Sequence, residues 1–140
     1  MRLVLDTNTA LSGLLWGGPP RRLVQAAERG EIEIASSVAL LTEFRNVLGR
    51  EKFARRLTQR GFTGARLFAD YVALVTIVAP ALITPTILRD PADDVVLAAA
   101  IGARADLIVS GDAHLLNLKS FQGIDIVTAT TADGRINPQG

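Results

Sequence analysis

Two short stretches constrain this chain most: Leu3-Val4-Leu5 and Leu107-Ile108-Val109, each wholly apolar and without alternation. An unbroken apolar run of this length suits a strand covered on both faces, as in a parallel sheet under helices. The first run stops at Asp6-Thr7-Asn8 and the second at Ser110-Gly111-Asp112. Such residues turn the chain and cap helices, so both strands are expected to feed helices from their carboxyl ends.

The intervening sequence supports that reading. Helices are expected over residues 10–16 and 21–29, the second stopped by Gly30. A strand is expected over 32–35, with Ser36-Ser37 as the following N-cap. Val38, Leu41, Phe44, Val47 and Leu48 repeat with a helical period before Gly49. Glu51 to Arg60 reads as a basic helix ended by Gly61. Residues 65–77 read as a helix, or as a helix running into a strand. Asp90-Pro91 is a helix start signal for an alanine-rich helix through Ala103. A short helix near His114, a strand at 124–127 and a polar, frayed tail complete the chain. The alternation predicts one α/β domain, a parallel sheet with helices on both faces. The domain spans 1–128 and the tail 129–140.

Composition narrows the chemistry. The chain has no cysteine and one histidine, His114. That excludes disulfides, thiolate metal sites, a cysteine nucleophile and multi-histidine metal sites. The formal net charge is +1, so no bulk field singles out a polyanionic partner. No run reaches the ~18 apolar residues of a membrane span. Asp6 arrives before a signal-peptide apolar region forms, so a cytoplasmic protein without membrane attachment is expected.

The acids fall in telling places. In an open parallel sheet, sites form beyond the carboxyl ends of the strands. Asp6 ends the first strand and Asp112 follows the second. Asp93 and Asp94 open the helix before that second strand, and Glu43 sits among Leu40, Leu41 and Phe44. Taken singly, these are an N-cap, a turn residue, partners of a helix dipole and the edge of an apolar stripe. Taken together, they can converge on one point. Two carboxylates about 4 Å apart repel by roughly 4 kcal/mol at an effective dielectric near 20. Magnesium or manganese removes that penalty, and a carboxylate-held ion suits phosphodiester hydrolysis.

These residues resemble the PIN-domain nucleases. The resemblance rests on four blocks in order: Leu3-Val4-Leu5-Asp6-Thr7-Asn8, Ser37 to Arg50 around Glu43, Asp90 to Ala100, and Ala105 to Leu116. It spans about residues 2–118 and is greatest to the stand-alone, VapC-like proteins described as toxins of toxin–antitoxin pairs. It implies a three-layer α/β/α sandwich with a mostly parallel sheet of about five strands. It implies an endoribonuclease dependent on Mg2+ or Mn2+ that cleaves single-stranded or looped RNA with metal-activated water. A cognate antitoxin and a homodimer or higher oligomer are the implied partners. Carried over, the metal ligands are Asp6, Glu43, Asp112 and one of Asp93 and Asp94. Spacing from Leu97-Ala98-Ala99 points to Asp94, while the Asp-Pro-x-Asp pattern points to Asp93, which is preferred. Asn8 and Ser110 are expected to orient the carboxylates or a bound water through hydrogen bonds.

Arg45, Arg50, Lys52, Arg55, Arg56, Arg60 and Arg66 follow Glu43 closely. They form either an RNA-contacting flank or, more plainly, a solvated helix face partly balanced by Glu51. His114 is read as structural or RNA-proximal rather than as a ligand, because imidazole suits magnesium poorly. Trp16 is read as a core residue or an interface anchor, with Leu11, Leu14 and Leu15. A haloacid-dehalogenase-type phosphatase with Asp6 as nucleophile is the first rival. It needs an acid where this chain has Asn8, and Lys119 lies too near Asp112 to complete its site. A catalytically silent binding module of the same fold is the second. Four acidic blocks argue against it, since clustered carboxylates without a cation are a liability.

Overall fold

The structure, a computed structural model, describes residues 1–84 and 91–137. The expected N-cap Asp90 lies outside the described residues.

Strands β1 (Arg2–Leu5), β2 (Glu33–Ser36), β3 (Thr76–Ile77), β4 (Leu107–Val109), β5 (Ser120–Phe121) and β6 (Ile124–Val127) form one sheet in the order β3-β2-β1-β4-β6-β5. Every neighbouring pair is parallel except β5 with β6. The expected parallel α/β architecture is therefore present, with six strands where about five were anticipated. Two of the six contain only two residues, too few for any periodicity to mark them.

Eight helices are described: α1 (Thr7–Leu15), α2 (Pro19–Glu28), α3 (Val38–Leu48), α4 (Glu51–Gln59), α5 (Gly64–Leu74), α6 (Pro91–Ala103), α7 (Ala113–Leu118) and α8 (Ala129–Ile136). They cover both sheet faces, and strand pleating divides the core accordingly. Leu3, Leu5, Leu107 and Val109 pack on one side with Leu11, Leu23, Phe44 and Tyr71. Val4 and Ile108 pack on the other with Val96, Leu97, Ala100 and Leu115. Leu3, Val4, Ile108 and Val109 are wholly buried. That is why these strands read as unbroken apolar runs.

Helix α1 begins at Thr7, three residues before the expected start, because Asp6 itself is the N-cap and accepts from the Thr9 amide. The 65–77 segment resolves into α5 followed by β3, the mixed alternative. One expectation fails: residues 129–136 of the polar tail form α8, which packs on α2. Thr128 caps its N-terminus, Ala132 is wholly buried, and Asp133 pairs with Arg22 at 2.7 Å. One buried alanine and one distant ion pair leave no local signal.

The order places β1 between β2 and β4, so the chain reverses its winding direction at the β1–β4 pair. The carboxyl ends of these two strands frame a crevice where α/β folds bind ligands.

Candidate active site

Asp6 leaves β1 in extended backbone conformation. Its amide donates to the Val109 carbonyl at 3.1 Å, tying the end of β1 to the end of β4. Ser110, directly after β4, is anchored to β6 by its amide on the Val127 carbonyl (3.0 Å). Its hydroxyl donates to Asp6 Oδ2 and accepts from the Asp112 amide at 2.9 Å. A single buried hydroxyl thus links two acids more than one hundred residues apart. Asp112 caps α7, its Oδ1 accepting from the His114 and Leu115 amides at 2.8 and 3.2 Å.

Glu43 arrives from α3. That helix starts at the Ser37 cap and buries Leu40, Leu41, Phe44 and Leu48. Glu43 and Val47 stand one turn apart, and Arg50 follows at the cap of α4. Thr7 donates its hydroxyl to Glu43 Oε2 at 3.0 Å, holding the half-buried carboxylate in place. Asp93 arrives from the first turn of α6, is 7 % exposed, and shares a helix face with Val96.

Asp6, Glu43, Asp93 and Asp112 line one cleft of about 210 Å3, together with Thr7, Asn8, Val47, Arg50, Ala92 and Val96. Four acids from four elements meet at the switch point, and Asp6 is also 7 % exposed. Asp94 follows Asp93 by about 100° around α6, and the cleft lining does not include it. Asn8 is exposed at the cleft wall. An all-oxygen donor set of this charge fits a hard divalent cation.

Tyr71 is buried, its ring tilted 45° against that of Phe44 with the centroids 4.9 Å apart. Burial pushes its phenol well above the usual range, and the nearby Asp6 carboxylate adds to the shift.

Of the basic residues following Glu43, Arg50 alone lines the cleft. Arg55 pairs with Glu51 at 2.8 Å and Arg66 with Asp70 at 3.1 Å, both along their own helices. Arg45, Lys52 and Arg56 are exposed. Arg60 stacks its guanidinium 3.9 Å above the Trp16 ring. Trp16 is 48 % exposed and so is not a core residue, although Leu11 is buried. With Leu14, Leu15, Phe62 and Leu74, Trp16 lines a separate groove of about 840 Å3. That groove is larger than the acidic cleft, but no cluster of acids converges in it.

Sequence reasoning missed Thr7, whose partner Glu43 is 36 residues away, and Tyr71, whose phenol feels the Asp6 charge. Neither leaves a local signal. It also set aside His114, whose Nδ1 lies 4.0 Å from Asp93 Oδ2 and 3.9 Å from Asp112 Oδ1.

Among the described residues no helix is long and apolar enough to cross a membrane. The fold is similar to that in the crystal structure of VapBC2 from Rickettsia felis bound to a DNA fragment from their promoter. The TM-score is 0.59 at 13% sequence identity, covering 90% of this chain and 97% of that one. Curated protein sequences contain no match to the chain. A family model for the PIN domain matches residues 2–114, a span holding both core strands and all four acids of the cleft. The chain belongs to the PIN-domain family.

Proposed function

We propose that this protein is a divalent-metal-dependent endoribonuclease, the toxin half of a cytoplasmic toxin–antitoxin pair. The observation that carries the reading is the cleft itself. Asp6, Glu43, Asp93 and Asp112 come from four elements to one crevice at the switch point. Such a concentration of charge is costly unless a cation shares it. Membership of a family whose members are generally nucleases supports the same chemistry.

In this reading the four carboxylates hold Mg2+ or Mn2+. A bound ion supplies positive charge against the phosphate and makes water nucleophilic near neutral pH. The chain's own residues fix the geometry. Ser110 pins one Asp6 oxygen and the amide of Asp112 together, so the two acids keep their separation. Thr7 sets the Glu43 carboxylate. The amides of His114 and Leu115 at the start of α7 hold Asp112 Oδ1 in place. Arg50 sits where it can contact a phosphate entering the cleft. With no cysteine and no free imidazole pair, nothing in the chain calls for a covalent intermediate.

The antitoxin partner rests on the likeness to the VapBC2 complex. Self-association rests on family resemblance. They are read out by co-purification with a candidate antitoxin and by light scattering. The activity is tested with mixed single-stranded RNA, wild type and Asp6→Asn, in Mn2+, Mg2+ or EDTA. Metal-dependent cutting lost in the variant is the expected result. Binding of Mn2+ or RNA without cutting favours a silent module. Absence of both refutes the reading.

A further inference from the structure

His114 is the chain's sole imidazole, and the fold brings it to the rim of the acidic cleft. One donor atom each from Asp93, Asp112 and His114 falls within a 4.8 Å span. The imidazole Nδ1 is 4.0 Å from the Asp93 oxygen and 3.9 Å from the Asp112 oxygen. Two donors bound to one ion at roughly 2.1 Å stand about 3 Å apart when adjacent and about 4.2 Å apart when opposite. His114 stands from each acid about 1 Å beyond the separation of adjacent ligands, so a modest inward turn of the imidazole brings the three side chains to the separations that ligands of one ion adopt.

Their burial suits the task. Asp93 is buried. Asp112 holds the backbone amide of His114 at 2.8 Å, so the position of the histidine depends on the acid beside it. The imidazole side chain is 48 % exposed, free to turn by the small amount that closing on an ion requires.

We propose that His114 is a nitrogen ligand to the ion held by Asp93 and Asp112, and that it makes the site prefer manganese to magnesium. The proposal rests on the metal-dependent reading of the cleft. Its chemistry is separate from that reading, because carboxylates alone suit Mg2+ and Mn2+ alike. A nitrogen donor breaks the tie. Magnesium is hard, keeps its waters and demands near-octahedral oxygen ligation. First-row transition ions accept imidazole readily, increasingly so from Mn2+ to Co2+.

The test is metal binding, followed by titration calorimetry of the full chain with MnCl2, CoCl2 and MgCl2, for wild type and His114→Ala. His114→Ala is expected to weaken Mn2+ binding about tenfold and Co2+ binding more, with Mg2+ affinity within about threefold of wild type. Pulsed electron paramagnetic resonance of the wild-type Mn2+ complex is expected to show coupling to a directly bound nitrogen. This signal needs no variant, so a folding defect cannot imitate it. An unchanged Mn2+ to Mg2+ ratio without nitrogen coupling overturns the proposal. In that case, loss of Mn2+ binding in Asp6→Asn and Asp93→Asn would leave the carboxylate site standing. If wild type binds none of the three ions, the metal reading fails and the His114 assignment falls with it.

Discussion

Replacing Asp6 by asparagine tests whether the acidic cleft is a repulsive cluster awaiting a cation. Asp6 faces three further carboxylates across a cleft of about 210 Å3. A sphere of that volume is about 7 Å across, and two unit charges at that separation repel by about 2 kcal/mol at an effective dielectric near 20. The Asp112 side chain is 34% exposed and Glu43 is half-buried, so solvent screens much of the sum. Total relief of about 1–3 kcal/mol is expected. Asparagine caps helices as well as aspartate, so the bond from the Thr9 amide survives. The charge-assisted bond from Ser110 does not, at a cost of about 1 kcal/mol. In EDTA, Asp6→Asn should therefore equal wild type or exceed it by up to about 2 kcal/mol. Manganese should reverse the order. At one hundred times the dissociation constant, a ligand adds about 2.7 kcal/mol to the protein that binds it. For a chain of this length that is a rise of about 8–10 °C in Tm. The assay is thermal melting of both proteins in EDTA and in MnCl2. A variant melting more than about 3 °C below wild type in EDTA would refute the repulsion argument. An equal manganese response in both proteins would refute the role of Asp6 as a ligand.

Two further outcomes test the framework around the site. At Gly102, inside α6, a Cβ would stand 2.0 Å from the Ala79 carbonyl oxygen and 3.1 Å from the Ala81 amide nitrogen. Alanine normally gains about 1 kcal/mol over glycine in a helix. Here it must displace the 79–81 backbone and its bond from the Ala81 amide to the Ala98 carbonyl, so urea melts of Gly102→Ala should show a loss of about 2–4 kcal/mol, and a gain would disprove the close approach. The second outcome concerns alkaline pH, because folding raises the Tyr71 phenol above its ordinary 10.0. Above that value the unfolded chain releases the proton while the folded protein keeps it, so the stability this group contributes is complete below pH 10 and falls as pH rises. The slope approaches about 1.4 kcal/mol per pH unit. Urea midpoints from pH 9 to 11.5 should fall less steeply for Tyr71→Phe than for wild type, and parallel curves would count against the buried phenol.

The parts of the fold readable in the sequence were those whose physics is local. Leu3-Val4-Leu5 and Leu107-Ile108-Val109 are apolar at every position because both their faces are covered. Ile124–Val127 and Val38–Leu48 have the observed bounds, since one carries β-branched residues and the other a cap and a helical period within a few residues. Asp6 and Asp112 were visible as acids ending strands, and capping chemistry acts over two or three positions. The tertiary structure alone decided what lies beyond that range. Helix α6 is apolar around most of its circumference, so no periodicity says whether Asp93 or Asp94 faces the crevice; packing against the sheet turned Asp93 inward. Of the seven basic residues read as a possible RNA-contacting flank, only Arg50 reached the cleft wall, since it stands where α3 gives way to α4. The Thr7–Glu43 bond, the Ser110 link between two acids and the approach of His114 to Asp93 all join residues distant in sequence or on separate elements. Their separations depend on how helices rest on the sheet, and a side chain's reach across such a gap is written in no neighbouring residue.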